Sequence, residues 1–173
     1  MIELRRHIRD IPDFPKPGIV FRDITPLLAE RDAFHAMVDR FVERYRGRAD
    51  VVLGIESRGF LIGAAVAYGL GTGIALVRKP GKLPSQTYAA RYELEYGSDT
   101  LEIHHDAIGS GHRVLIVDDL LATGGTASAA VELVKRCGGE VIACAFVIEL
   151  AFLGGRRRLE GIEVLSLVDY ERA

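Results

Sequence analysis

Apolar and polar positions in this chain repeat with a period that switches between helical and extended, and the switches mark out the elements. Asp32 to Arg46 places apolar residues at 34, 37, 38, 41, 42 and 45, a helical stripe that stops near Gly47. Val51 to Ile55, Ile74 to Arg78, Arg113 to Val117, Val141 to Ile148 and Val164 to Val168 are short β-branched and aliphatic runs. Parallel strands covered on both faces have this composition. Between them, Gly59 to Tyr68 is apolar almost throughout. A second helix, with Ala130, Leu133, Val134 and Cys137 on one face, ends at Gly138-Gly139. Strand, helix and strand in succession imply right-handed parallel crossovers. The pattern predicts a doubly wound α/β fold, a mainly parallel sheet flanked by helices, with residues 1-173 as one domain.

Two regions break the pattern. Ile2 to Asp10 reads as a short helix, and the prolines from Pro12 to Pro26 prevent its continuation, so residues 1-30 form an N-terminal arm. Residues 79 to 100 are polar and turn-rich, with aromatic residues at 88, 92 and 96, and show no pattern of a buried element. An excursion of that length in a compact domain is usually functional, and a mobile loop over 79-104 is expected. Gly69-Leu-Gly-Thr-Gly73 follows a helix and precedes a strand, which makes it a helix stop and not a phosphate loop.

The chemistry concentrates in Val114-Leu-Ile-Val-Asp-Asp-Leu-Leu-Ala-Thr-Gly-Gly-Thr126, where an apolar strand runs into Asp118 and Asp119 and then into a small-residue loop. Ala122, Thr123, Gly124, Gly125 and Thr126 offer backbone N–H and hydroxyl donors for a phosphate at the start of a helix. The two carboxylates offer acceptors for the vicinal hydroxyls of a ribose. A Walker loop would need a lysine after Gly124-Gly125, and a dinucleotide loop would need three spaced glycines; neither is present. An ordinary turn would leave two neighbouring carboxylates repelling one another at a strand end. Arg58 follows the strand at 51–55, and Lys79 and Lys82 follow the strand at 74–78. Basic groups so placed share the carboxyl rim of the sheet with the loop, where they suit further phosphates.

A net charge of −2, with 49% apolar and 27% charged residues, supplies no broad basic field, so neither nucleic acid nor membrane is an expected partner. Met1 to Arg6 has no apolar stretch behind it, which argues against a secretory signal and for a cytoplasmic location. Cys137 and Cys144 lack metal or redox spacing and read as reduced packing residues. His104-His105, on opposite faces of a strand, do not suit a shared metal. Arg156-Arg-Arg158 reads by itself as a solvated face.

The motif at 117–126 resembles the phosphoribosyl diphosphate (PRPP) motif of type I phosphoribosyltransferases, in the form found in enzymes that act on adenine. Phe14-Pro-Lys-Pro-Gly-Ile-Val-Phe-Arg-Asp-Ile-Thr-Pro26, Gly54-Ile-Glu-Ser-Arg-Gly-Phe60, Arg78-Lys-Pro-Gly-Lys-Leu-Pro84, Tyr92-Glu-Leu-Glu-Tyr-Gly97 and Phe152-Leu-Gly-Gly-Arg156 resemble further segments of that family in the same order. Ser85 to Arg91 matches none of its patterns. The resemblance implies the type I phosphoribosyltransferase fold with a small N-terminal hood, and Mg²⁺-dependent transfer of 5-phosphoribosyl from PRPP to adenine in purine salvage, giving AMP. Another base, such as xanthine, guanine, hypoxanthine or orotate, and a non-catalytic sensor of PRPP or purine are the alternatives. It further implies that Arg58, Lys79 and Lys82 take the diphosphate and that Glu95 manages the purine proton. The resemblance also implies that Tyr96 closes the loop and that Val20, Phe21, Arg22 and Leu120 bind adenine. The family is commonly dimeric, with Arg78 reaching a neighbour's site, and Mg²⁺ needs no direct protein ligand because substrate oxygens and water can fill its octahedron.

Overall fold

The computed structural model describes residues 2–93 and 97–172. Its centre is a five-stranded parallel sheet in the order β4-β3-β7-β8-β9, built from β3 (Val51–Ile55), β4 (Gly73–Val77), β7 (Arg113–Leu121), β8 (Glu140–Leu150) and β9 (Glu163–Tyr170). The chain runs outward from β3 to β4 and then returns to the other side of β3 as β7. Strand order therefore reverses between β3 and β7, and the crevice beyond their carboxyl ends is where an open α/β sheet takes a ligand.

Apolar side chains cover both faces of the sheet. On one face lie α2 (Arg31–Tyr45) and α3 (Arg58–Leu70); on the other lies α4 (Gly125–Arg136). The predicted stripe of α2 buries Met37, Phe41, Val42 and Tyr45, and Ala33 joins it. Each large side chain fully buried there stabilises by roughly 1.5–3 kcal/mol. The Glu30 side chain accepts a hydrogen bond from the Ala33 N–H at 2.6 Å and caps the helix start. Gly71, with φ 71°, ends α3 at the predicted stop.

The arm differs from the expected helix. Leu4–His7 makes a single 3-10 turn, and β1 (Arg9–Pro12) pairs antiparallel with β2 (Val20–Asp23) before the short α1 (Thr25–Ala29). One helical turn blocked by Pro12 cannot sustain itself, whereas β2 supplies backbone partners and an Asp23 carboxylate 3.1 Å from Arg9.

Residues 79–104 also differ from an unpatterned loop. β5 (Thr87–Glu93) and β6 (Ser98–His104) form an antiparallel hairpin that buries Ala90, Tyr92, Leu101 and Ile103 in the core on the α4 side. Alternation at Tyr88, Ala90 and Tyr92 was the strand signal in the sequence, obscured by the polar residues on the other face. A backbone bridge between Arg78 and Glu102 ties the hairpin to the end of β4. Glu95 and Tyr96, which fall between β5 and β6 in sequence, lie outside the described residues.

Candidate active site

β7 outruns its neighbour. Its last pair with β3 is Val117 with Gly54, while β8 continues beside it as far as Leu121 opposite Glu149. The strand predicted to end at Val117 thus extends four residues, because β8 still satisfies its backbone groups. Asp118 and Asp119 lie on that overhang, both buried. α3 begins directly against them. A Cβ added to Gly59 would stand 2.8 Å from Asp118 Oδ1 and 2.9 Å from the Val117 carbonyl oxygen, so only glycine allows this approach. One residue earlier, Arg58 Nε donates to Asp119 Oδ2. The Arg58 guanidinium also lies 5.6 Å from the ring centroid of Phe21, which joins the arm to the cleft.

Burial raises the Asp118 carboxyl well above its ordinary range, and the adjoining Asp119 adds to the shift. The Asp119 N–H donates to Asp118 Oδ1 at 2.9 Å, which partly offsets it. After β7 the backbone turns through Gly124, at φ 81°, into α4. The first N–H groups of that helix have no intrahelical partner, and they carry the positive end of its dipole. A cavity of about 330 Å³ unites these parts, lined by Arg58, Lys79, Asp118, Asp119 and the whole of 120–127.

The opposite wall is organised by a residue to which the sequence reading gave no role. Glu56 accepts from Arg78 Nη2 at 2.9 Å and from the Lys79 N–H at 2.9 Å. The Arg78 hydrogen bond, followed by that of the Lys79 amide, holds its carboxyl below the usual range. Lys79 Nζ pairs with Asp99 on β6, and the Tyr92 hydroxyl lies 3.3 Å from the same carboxylate. Glu56 sits within the motif Gly54 to Phe60, so its position was legible though its role was not. Tyr92 and Asp99 enter the site only through the hairpin fold.

Of the residues singled out in the sequence, the cavity brings together Arg58, Lys79, Asp118, Asp119, Leu120 and Ala122 to Thr126. Lys82 and Arg78 stand outside its lining, with Arg78 Nη1 donating to the Lys82 carbonyl at 3.4 Å. Val20, Phe21 and Arg22 lie on β2, also outside it. The Arg22 guanidinium is held 2.5 Å from Asp10 and 4.1 Å above the Tyr170 ring.

Residues 25–163 match the phosphoribosyl transferase domain family. The chain belongs to that family. Within it, the chain is 60% identical to the adenine phosphoribosyltransferase of Syntrophotalea carbinolica, covering 98% of this chain and 100% of the relative. The crystal structure of adenine phosphoribosyltransferase from Thermoanaerobacter pseudethanolicus aligns with a TM-score of 0.94 at 50% identity, over 96% of this chain and 98% of that one. The Saccharomyces cerevisiae enzyme, complexed with an imino-altritol bisphosphate and adenine, aligns at 0.89 with 42% identity, over 95% and 96%. The family fold thus includes the parallel sheet expected from the sequence, and the hairpin β5-β6 is packed on it as described above.

Proposed function

We propose that the protein transfers the 5-phosphoribosyl group of PRPP to adenine, releasing AMP and diphosphate. One observation carries the reading: a single cavity at the sheet's switch point joins an anion loop, two carboxylates and two cationic side chains. Those are the three kinds of contact that a sugar bearing a phosphate at one end and a diphosphate at the other requires. The relatives named adenine phosphoribosyltransferase at 60% identity support adenine as the base.

In this reading the donors of Ala122 to Thr126 hold the 5′-phosphate at the start of α4, and Asp118 and Asp119 accept from the ribose hydroxyls. Hydroxyl donors also relieve the repulsion between the two buried carboxylates. Arg58, Lys79 and Lys82 receive the diphosphate; Arg58 and Lys79 exchange Asp119 and Asp99 for its oxygens. Mg²⁺, when bound, neutralises the diphosphate and so improves it as a leaving group. Carboxylate oxygens are the hard donors this cavity offers, and Asp118 and Asp119 would hold the ion through the ribose hydroxyls they orient.

Diphosphate departure leaves a cationic sugar, which the adjacent carboxylates stabilise without covalent chemistry. Phe21 and the Val20 backbone on one side and Leu120 on the other form the adenine site. Arg22 covers the base by exchanging the Tyr170 ring for the purine. Glu95 manages the purine proton and Tyr96 closes the loop over the base, excluding water.

Exposed apolar side chains on α3 and β4, Leu61 at 58%, Tyr68 at 91%, Ile74 and Leu76, support a homodimer. For Arg78 to reach the neighbour's diphosphate it must leave Glu56. No helix among the described residues is long and apolar enough to cross a membrane. The free thiols of Cys137 and Cys144 accord with a cytoplasmic location.

The test is direct: purified protein is given PRPP, Mg²⁺ and, in turn, adenine, hypoxanthine, guanine, xanthine or orotate. AMP from adenine is expected. Product only from another base, or none from any, defeats the assignment.

A further inference from the structure

The segment from Phe152 to Arg158 takes no part in the chemistry above, yet it is built against the phosphate loop. Gly154, at φ 65°, leads into a 3-10 turn over Gly155–Leu159 whose far end is fixed by the buried Leu159. A Cβ on Gly155 would stand 2.3 Å from the Ala122 carbonyl oxygen and 3.1 Å from the Gly124 nitrogen. Conversely, a Cβ on Gly124 would stand 2.4 Å from the Gly155 carbonyl oxygen. Two backbones therefore meet with no side chain between them, and the outer wall of the anion loop is this turn.

Arg156 holds the turn in place. Its Nε donates to Glu149 Oε1 at 2.8 Å, its Nη2 to Glu149 Oε2 at 2.6 Å and to Ser166 Oγ at 3.0 Å, and its Nη1 to the Val164 carbonyl at 3.1 Å. Glu149 is only 4% exposed and lies on β8 opposite Leu121, the residue just before the loop. Burial pushes the Glu149 carboxyl up, but the hydrogen bonds from Arg156 and Ser166 outweigh it and leave the group below its ordinary range. The arginine fork thus connects the end of β8 and the first half of β9 to the turn, and it does so although the Arg156 side chain is 48% exposed.

We propose that Glu149 and Arg156 are positioning residues for the 5′-phosphate: their pair presses the Gly154-Gly155 turn against Ala122 and Gly124 and fixes the spacing of the loop's donors. The proposal rests on the assignment of the 5′-phosphate to loop 122–126. It places a requirement of binding outside the cavity's lining.

Arg156→Lys keeps the charge but cannot span both carboxylate oxygens, Ser166 and the Val164 carbonyl together; Glu149→Gln keeps the shape but removes the charge. For each variant, dissociation constants for ribose 5-phosphate and for Mg²⁺-diphosphate are measured alongside the melting temperature and steady-state constants. Ribose 5-phosphate should bind about 10-fold more weakly and KM for PRPP should rise, while diphosphate affinity and KM for adenine stay as in the parent. A merely structural pair would instead weaken both ligands together as the melting temperature falls, and that result overturns the proposal. So does unchanged ribose 5-phosphate affinity in both variants. If the parent protein itself fails to bind ribose 5-phosphate, the loop assignment falls first and the proposal with it. Should one variant not fold, the other carries the same comparison.

Discussion

Replacing Gly59 with alanine tests whether the start of α3 and the acidic end of β7 form one rigid unit. The added Cβ would lie 2.8 Å from Asp118 Oδ1, 2.9 Å from the Val117 carbonyl oxygen and 3.3 Å from Asp118 Cα. Ordinary contact begins near 3.4 Å, so the nearest atom must retreat by about 0.6 Å, and the second is backbone within the central sheet. Overpacking of this kind costs about 1–3 kcal/mol. Alanine recovers part of it, at most about 1 kcal/mol, through its better helix propensity. The clash wins, leaving a net loss of about 1–2 kcal/mol. At ~2–4 °C per kcal/mol for a chain of this size, the melting temperature should fall by about 2–8 °C. Displacement of Asp118 should also weaken PRPP binding about 10-fold or more, since small misplacements of a positioning group are amplified in binding. Thermal unfolding and calorimetric titration with PRPP measure both effects. Gly73→Ala is the control, because its Cβ meets nothing within 4 Å: it should leave PRPP binding unchanged and melt no lower than the parent. If Gly59→Ala melts and binds like the parent, the contact between α3 and β7 is soft and the reasoning about a rigid acidic tip is wrong.

Asp118→Asn combined with Asp119→Asn should weaken PRPP binding while circular dichroism stays native; unchanged affinity would remove the ribose assignment. Asp118→Asn alone should also alter stability with pH. An acid whose folded pKa is raised loses stability as pH climbs above its unfolded value, so the variant should melt higher than the parent at neutral pH, with the difference vanishing as pH falls below the ordinary value of 3.8. Parallel melting curves at all pH values would contradict the burial argument. Glu95→Gln should reduce kcat by about 100-fold or more with little change in PRPP affinity, and near-normal turnover would rule out a proton role. Leu61→Glu with Leu76→Glu should shift sedimentation from dimer to monomer by charging exposed apolar positions of α3 and β4; an unchanged sedimentation coefficient would place the interface elsewhere.

Much of the framework was readable because strong periodicity and burial go together. The α2 stripe and all five core strands were legible, since each is an aliphatic run or a spaced apolar face that only one element type can bury. That residues 118–126 share one cavity was legible from local chemistry, carboxylates followed by small residues. The β5-β6 hairpin was not, because its apolar face is carried by only every second residue and its other face is polar; its burial depends on α4, distant in sequence. Glu56 and Asp99 were missed for a related reason. Each is an ordinary carboxylate until Arg78, Lys79 and the hairpin are brought beside it. Arg156 is exposed, as its own neighbours suggested, but its partners Glu149, Val164 and Ser166 lie on two strands and were not legible.

What the sequence determined by itself was the set of local commitments: where strands and helices run, where glycine permits a turn, and where two carboxylates and a small-residue loop follow one another at a strand end. Backbone sterics and nearest-neighbour hydrophobic pattern act within a few residues and so leave their trace in the sequence. Only the tertiary structure decided which charges neutralise one another and how far β7 outlasts β3. Those outcomes depend on strand order and register, and order and register arise from burying two faces of one sheet at once, a constraint that no single segment contains.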